Sequence, residues 1–169
     1  MNATLAEWNK ADEPQALEAM LACCGSKRWA ADMVAMRPFG TVAALSESAD
    51  RVWSTMQEKD WLEAFACHPR IGERKAENTS GQSAAWSKQE QARTGTASAS
   101  VMDELAEGNR LYEEIFGFTY IVCATGKSAD EMLEILRRRL QSTREAELRE
   151  AAEQQRQIMQ IRLGKWLVE

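Results

Sequence analysis

Histidine occurs once in this chain, tyrosine twice, proline three times and cysteine four times. Each scarcity excludes something. A lone histidine with cysteines at positions 23, 24, 67 and 123 gives no Cys-x-x-Cys pair and no ligand set for a structural zinc ion. Adjacent Cys23 and Cys24 make a poor disulfide, and no framework spacing is present, so reduced thiols in a reducing compartment are expected. There is no glycine-rich phosphate loop and no basic block, and the net charge is −5, which argues against a nucleic-acid partner. No apolar run is long enough to span a bilayer, so no membrane partner is expected. Met1-Asn2-Ala3-Thr4-Leu5 has no basic region leading into an apolar one, and Leu167-Val168-Glu169 is not a peroxisomal tripeptide. Cytoplasm is therefore the expected location.

What remains is rich in Ala, Glu, Leu, Gln and Arg, the strong helix formers. With 44% hydrophobic and 28% charged residues, the chain can bury a core and stay soluble. Its length suits one domain, 1–169. The pattern predicts an all-α bundle of about eight to nine helices with one short extended segment. Asp12, Ser26 and Thr41 read as helix N-caps, and Ser128 with Glu131 as a capping box. Asp60 or a neighbour starts the helix leading to His68, Ser83 caps a helix from Ala84 to about Ala92, and Ser98 or Ser100 opens another. Val101, Leu105, Leu111 and Ile115 are read as the apolar stripe of that last helix. Residues 73–82 form a polar loop, and Thr94-Gly95-Thr96 a break. Phe118 to Gly126 is aromatic and β-branched, yet no second strand exists to pair with it. Its backbone groups need partners, which are either helix caps and water or a ligand.

Three clusters could carry chemistry. In Cys67-His68-Pro69-Arg70-Ile71-Gly72, Pro69 disfavours helical backbone at His68, so the imidazole should stand at a helix exit. Histidine alone titrates near neutrality when unperturbed. The ring is either an active-site group or a cap for the last helical carbonyls. Second, Ser87, Glu90 and Gln91 fall at i, i+3 and i+4, one helix face. Third, the stripe Leu148, Ala152, Gln155, Met159, Arg162 and Trp166 in the final helix contains an arginine and a glutamine. A buried guanidinium needs a partner, either an internal carboxylate such as Glu90 or an anionic ligand.

Taken together, Cys-His-Pro-Arg-Ile-Gly, Ser87-x-x-Glu90-Gln91, Asn109, Tyr112, Phe116-Gly117-Phe118, Val122-Cys123-Ala124, Arg139-Leu140 and Arg162-Leu163 resemble the 2-oxo-4-hydroxy-4-carboxy-5-ureidoimidazoline (OHCU) decarboxylase family. The resemblance runs from Met36-Arg37-Pro38-Phe39 to Arg162. It implies an all-helical domain that needs no cofactor, is often a homodimer, and converts OHCU to (S)-allantoin and CO₂ in urate breakdown. By position it implies His68 and Glu90 as the acid–base pair. It also implies substrate contacts from Pro69, from Ser87, Lys88, Gln89, Glu90 and Gln91, from Tyr120, Ile121, Val122, Cys123 and Ala124, and from Arg162. Thr119-Tyr120 departs from the Pro-Phe of many members, and the added hydroxyl could reach the pocket.

Two other classes compete. A helical binding module for an anionic small molecule would use the same residues without turnover. A cysteine hydrolase would use Cys67 or Cys123, although Cys123 lies in an apolar run that raises a thiol's pKa.

Overall fold

A computed structural model describes residues 2–71, 81–93 and 97–169. Among the described residues the regular elements are all helices: α1 (Ala3–Lys10), α2 (Glu13–Cys23), α3 (Lys27–Ala35), α4 (Val42–Ser54), α5 (Glu58–Ala66), α6 (Gly81–Glu90), α7 (Ala99–Phe116), α8 (Ala129–Arg139) and α9 (Arg144–Trp166). None is long and apolar enough to cross a membrane. The chain forms two compact units, residues 1–64 with 156–169, and residues 65–155.

Side-chain caps set most helix starts in the first unit. Asn2, Asp12, Ser26 and Thr41 each accept the amide N–H three residues on, satisfying a donor the helix leaves open. In α5 the carboxylate works in reverse: Asp60 accepts the N–H of Gln57 at 2.9 Å from inside the helix, which begins at Glu58 rather than at Asp60. Two tryptophans of the core, Trp8 and Trp29, have their indole nitrogens paired, as buried indoles favour. Trp8 donates to the Ala16 carbonyl at 3.0 Å and Trp29 to the Ala49 carbonyl at 3.1 Å. Phe39 stacks on Trp8 with centroids 6.0 Å apart, and Trp166 meets it edge-on at 5.8 Å. Arg37 covers Trp8 and donates to the Trp8 and Ala11 carbonyls, closing the end of α1.

In the second unit α7 and α8 pack together. Their approach depends on Gly108: a Cβ there would stand 2.5 Å from Leu136 Cδ2. The buried face of α7 is Leu105, Gly108, Asn109, Tyr112 and Phe116. Leu111 and Ile115, read from the sequence as core, are 38% and 50% exposed. At about 100° per residue, 108, 109, 112 and 116 lie within about 60° of Leu105 around the helix, whereas 115 and 111 lie about 80° and 120° away. Gly117 at φ 82° ends α7 in the left-handed conformation that glycine adopts without strain. Ser128 and Glu131 form the expected reciprocal capping box at α8. Ser83 is not a cap: α6 begins at Gly81, and Ser83 is buried within it. Gly81 and Gln82, read as the end of a polar loop over 73–82, belong to α6. Residues 72–80 and the break at Thr94-Gly95-Thr96 lie outside the described residues.

Candidate functional site

His68 stands just past α5. Its backbone N–H bonds to the Phe65 carbonyl at 3.1 Å as the helix unwinds into Pro69. Phe65 is buried, with its ring 5.6 Å from that of Phe118, so the helix end is anchored where the histidine leaves it. The imidazole is half-buried, and its Nε2 lies 2.7 Å from Oε1 of Gln155 in α9. Gln155 is wholly buried. A protonating ring held by a neutral amide is oriented without gaining a fixed counter-charge from that partner.

Glu90 is the last residue of α6, and it and Ser87 are both buried on one face of that helix. Gln91 follows half-buried, while Lys88 and Gln89 are exposed on the other side. The spacing argument thus holds for the hydroxyl and the carboxylate, and the two residues between them point elsewhere. Arg162 belongs to the first unit. It is 3% exposed and donates to the Ala22 carbonyl at 3.3 Å.

The segment from Tyr120 to Ala124 is buried and irregular, with no strand beside it among the described residues. Its polar groups are met largely by side chains. Gln154 Oε1 accepts the Cys123 N–H at 2.8 Å, and Lys127 Nζ donates to the Cys123 carbonyl at 2.7 Å. Arg139 donates to the Ile121 carbonyl. The Tyr120 hydroxyl, which departs from the family pattern, donates to the Met132 carbonyl at 3.1 Å. It therefore ties the segment to α8.

Arg139 is the hub of this arrangement. It is 5% exposed and pairs with Glu147, itself 3% exposed, at 2.6 Å. Tyr112 donates its hydroxyl to the same carboxylate oxygen at 2.7 Å, and the guanidinium lies 4.9 Å from the Tyr120 ring centroid and 5.7 Å from that of Tyr112. Burial pushes both phenols well above their ordinary pKa, so they remain neutral donors. Burial alone would lower the arginine, but the hydrogen bond and charge of the Glu147 carboxylate act against it, and the guanidinium is raised and stays charged.

The sequence reading assigned no role to Arg139 beyond its place in the motif, and none to Glu147 or Gln154. The signal for Arg139 was available: an arginine continuing the i, i+3 row of Met132, Leu133 and Leu136 in α8. Cys67 is half-buried, Cys123 is buried, and neither is in a disulfide. Among the described residues no group of histidine, cysteine and carboxylate side chains forms a metal centre.

The OHCU decarboxylase family model matches residues 9–164. A uric acid degradation bifunctional protein of Arabidopsis thaliana, TTL, is 38% identical over 85% of this chain. The 2-oxo-4-hydroxy-4-carboxy-5-ureidoimidazoline decarboxylase of Haloferax volcanii is 24% identical over 96%. This chain spans 44% of the Arabidopsis protein and 95% of the Haloferax one. A crystal structure of OHCU decarboxylase in the presence of (S)-allantoin superposes with a TM-score of 0.77 at 35% identity, covering 88% of this chain and 96% of that one. A second structure, of (S)-allantoin synthase, shares the fold at TM-score 0.71 and 16% identity, covering 96% of this chain and 53% of that one. The match extends through both compact units and includes His68, Glu90 and Arg162, and the chain belongs to the OHCU decarboxylase family.

Proposed function

We propose that this chain decarboxylates OHCU to (S)-allantoin, with His68 and Glu90 as the acid–base pair and Arg162 on the substrate anion. The observation that carries the reading is the family match over residues 9–164, with the chain's single histidine at the exit of α5.

The chemistry asks for what these residues offer. The reacting carbon bears a hydroxyl and a carboxylate beside a C=N bond. As CO₂ leaves, its bonding electrons enter the adjacent C–C bond, and the C=N nitrogen takes up a proton. The resulting enol gives up its O–H proton to become a carbonyl, and the neighbouring carbon receives a proton on one face. One proton is consumed for each CO₂ released, so a group that both takes and gives a proton suffices. His68 performs this exchange, with Glu90 as its acidic partner. The buried guanidinium of Arg162 binds the carboxylate before it leaves. Pro69, Ser87, Gln91 and the Tyr120–Ala124 segment line the flat, amide-rich substrate. Acid–base catalysis of this kind is worth a factor of about 10² to 10⁴. Holding the ring with one face toward the proton donor fixes the hand of the product. By resemblance to the family, the protein acts as a homodimer, and its scattered cysteines without framework spacing suit a reducing compartment, the cytoplasm.

Freshly generated OHCU mixed with the purified chain tests the reading by circular dichroism. An enzyme accelerates the appearance of one optical form of allantoin. A binding module would raise its own melting temperature and leave the spontaneous rate unchanged, and that result would refute the proposal.

A further inference from the structure

The glutamine in the stripe of α9 has so far had no chemical role. Gln155 is 0% exposed, and its Oε1 lies 2.7 Å from His68 Nε2. Its own Nε2 has no hydrogen-bond partner among the described residues. A buried amide with half its capacity unused is costly, and such groups mark places where something other than packing decides the residue.

We propose that Gln155 is a positioning residue that holds His68 as the Nε2–H tautomer, leaving Nδ1 as the atom that takes and returns the proton. The pairing of ring and amide rests on the 2.7 Å contact, and the proton cycle that selects the tautomer rests on the decarboxylase reading. Two orientations of the amide are conceivable. If its NH₂ faced the ring, it would donate to a lone pair on Nε2, and that bond would become donor against donor once the ring is protonated, because both nitrogens of an imidazolium are donors. If Oε1 faces the ring, Nε2–H donates to it in the neutral and the charged form alike. Only the second arrangement survives a cycle in which His68 gains and loses a proton.

The amide also suits the task better than a carboxylate in the same place. It fixes the ring's rotation and tautomer, yet adds no charge that would favour the protonated form in the resting protein. Gln154, one residue earlier, holds the Cys123 N–H. Consecutive glutamines of α9 thus hold the histidine and the buried 120–124 segment from one rigid helix.

The single histidine makes the test unambiguous. In the full chain labelled with ¹⁵N-histidine, one pair of ring nitrogens is observed, both belonging to His68. Above the ring's titration, the wild type should show a protonated Nε2 and an unprotonated Nδ1. Gln155→Met should leave a mixture, since an ordinary neutral hydrogen bond biases such a ratio by roughly two- to twelve-fold. Gln155→Glu keeps an acceptor in place and should restore the single form. In turnover, Gln155→Met should lower kcat by about 10- to 100-fold, as loss of an orienting outer partner does, with KM little changed. A wild-type spectrum in which Nδ1 is the predominantly protonated nitrogen overturns the inference whether or not any variant folds. A wild type that holds Nε2–H but leaves OHCU untouched sinks the decarboxylase reading and leaves the holding of the ring standing.

Discussion

The buried pair between Arg139 and Glu147 makes a quantitative prediction. Both side chains are at most 5% exposed, so neither can turn to water if its partner is removed. Truncating one partner of such a pair costs about 3–5 kcal/mol, most of it from the stranded charge. Glu147→Leu strands the guanidinium and also removes the acceptor of the Tyr112 hydroxyl. Arg139→Met strands the carboxylate and leaves the Ile121 carbonyl without its donor. For a chain of this size, each single change should lower the melting temperature by about 6–20 °C. The double variant removes both charges at once. It retains only the cost of the orphaned phenol and carbonyl, about 1–3 kcal/mol each. Urea unfolding of the four proteins closes the cycle, and the double variant should be clearly more stable than the two single losses added together. Additivity within about 0.5 kcal/mol would mean that the pair is not coupled, and the hub assigned to Arg139 would be wrong.

Gly108→Ala should destabilise the protein by about 1 kcal/mol or more despite alanine's better helix propensity, because its Cβ would stand 2.5 Å from Leu136 Cδ2 in a fully buried site; urea unfolding reads it. Glu131 is held below its ordinary carboxyl range, first by the Ser128 backbone N–H, so its contribution is present above the unfolded pKa and is lost as pH falls through the folded value. Glu131→Ala should therefore weaken the protein at neutral pH, and the difference from wild type should vanish in strong acid. Burial raises the Cys23 thiol and shields it, whereas Cys67 is half-buried, so a thiol reagent should label Cys67 before Cys23 in the native protein. Cys67→Ser should keep its turnover of OHCU, and its loss would favour the cysteine-hydrolase alternative.

The helix starts were legible because caps are local. Asp12, Ser26, Thr41, Ser98 and Ser128 act through an amide three residues away, which no tertiary contact has to supply. Ser83 looked the same in sequence but lies inside α6, since a serine also tolerates a helix interior when its hydroxyl is placed. The face of α7 was misread because its buried side carries Gly108, Asn109 and Tyr112, which hydropathy passes over, while Leu111 and Ile115 stay exposed. The site divides in the same way. His68, Glu90 and Arg162 are distinctive residues in distinctive places and can be picked from the chain. The groups that hold His68 and the 120–124 segment are ordinary letters. Glu147 reads as part of a charged helix surface, and only the fold brings it to Arg139 across eight residues and a turn. Gln155 is marked by its place in an apolar stripe, but its partner lies 87 residues away.

The claim on which the rest depends is that His68 moves the proton in the decarboxylation. Its most direct test compares wild type with His68→Ala on fresh OHCU, following the optical signal of allantoin alongside each protein's melting curve. The account predicts a rate about 10² to 10⁴ lower with the melting transition preserved. A variant that folds and still forms one optical form of allantoin at the wild-type rate would contradict it.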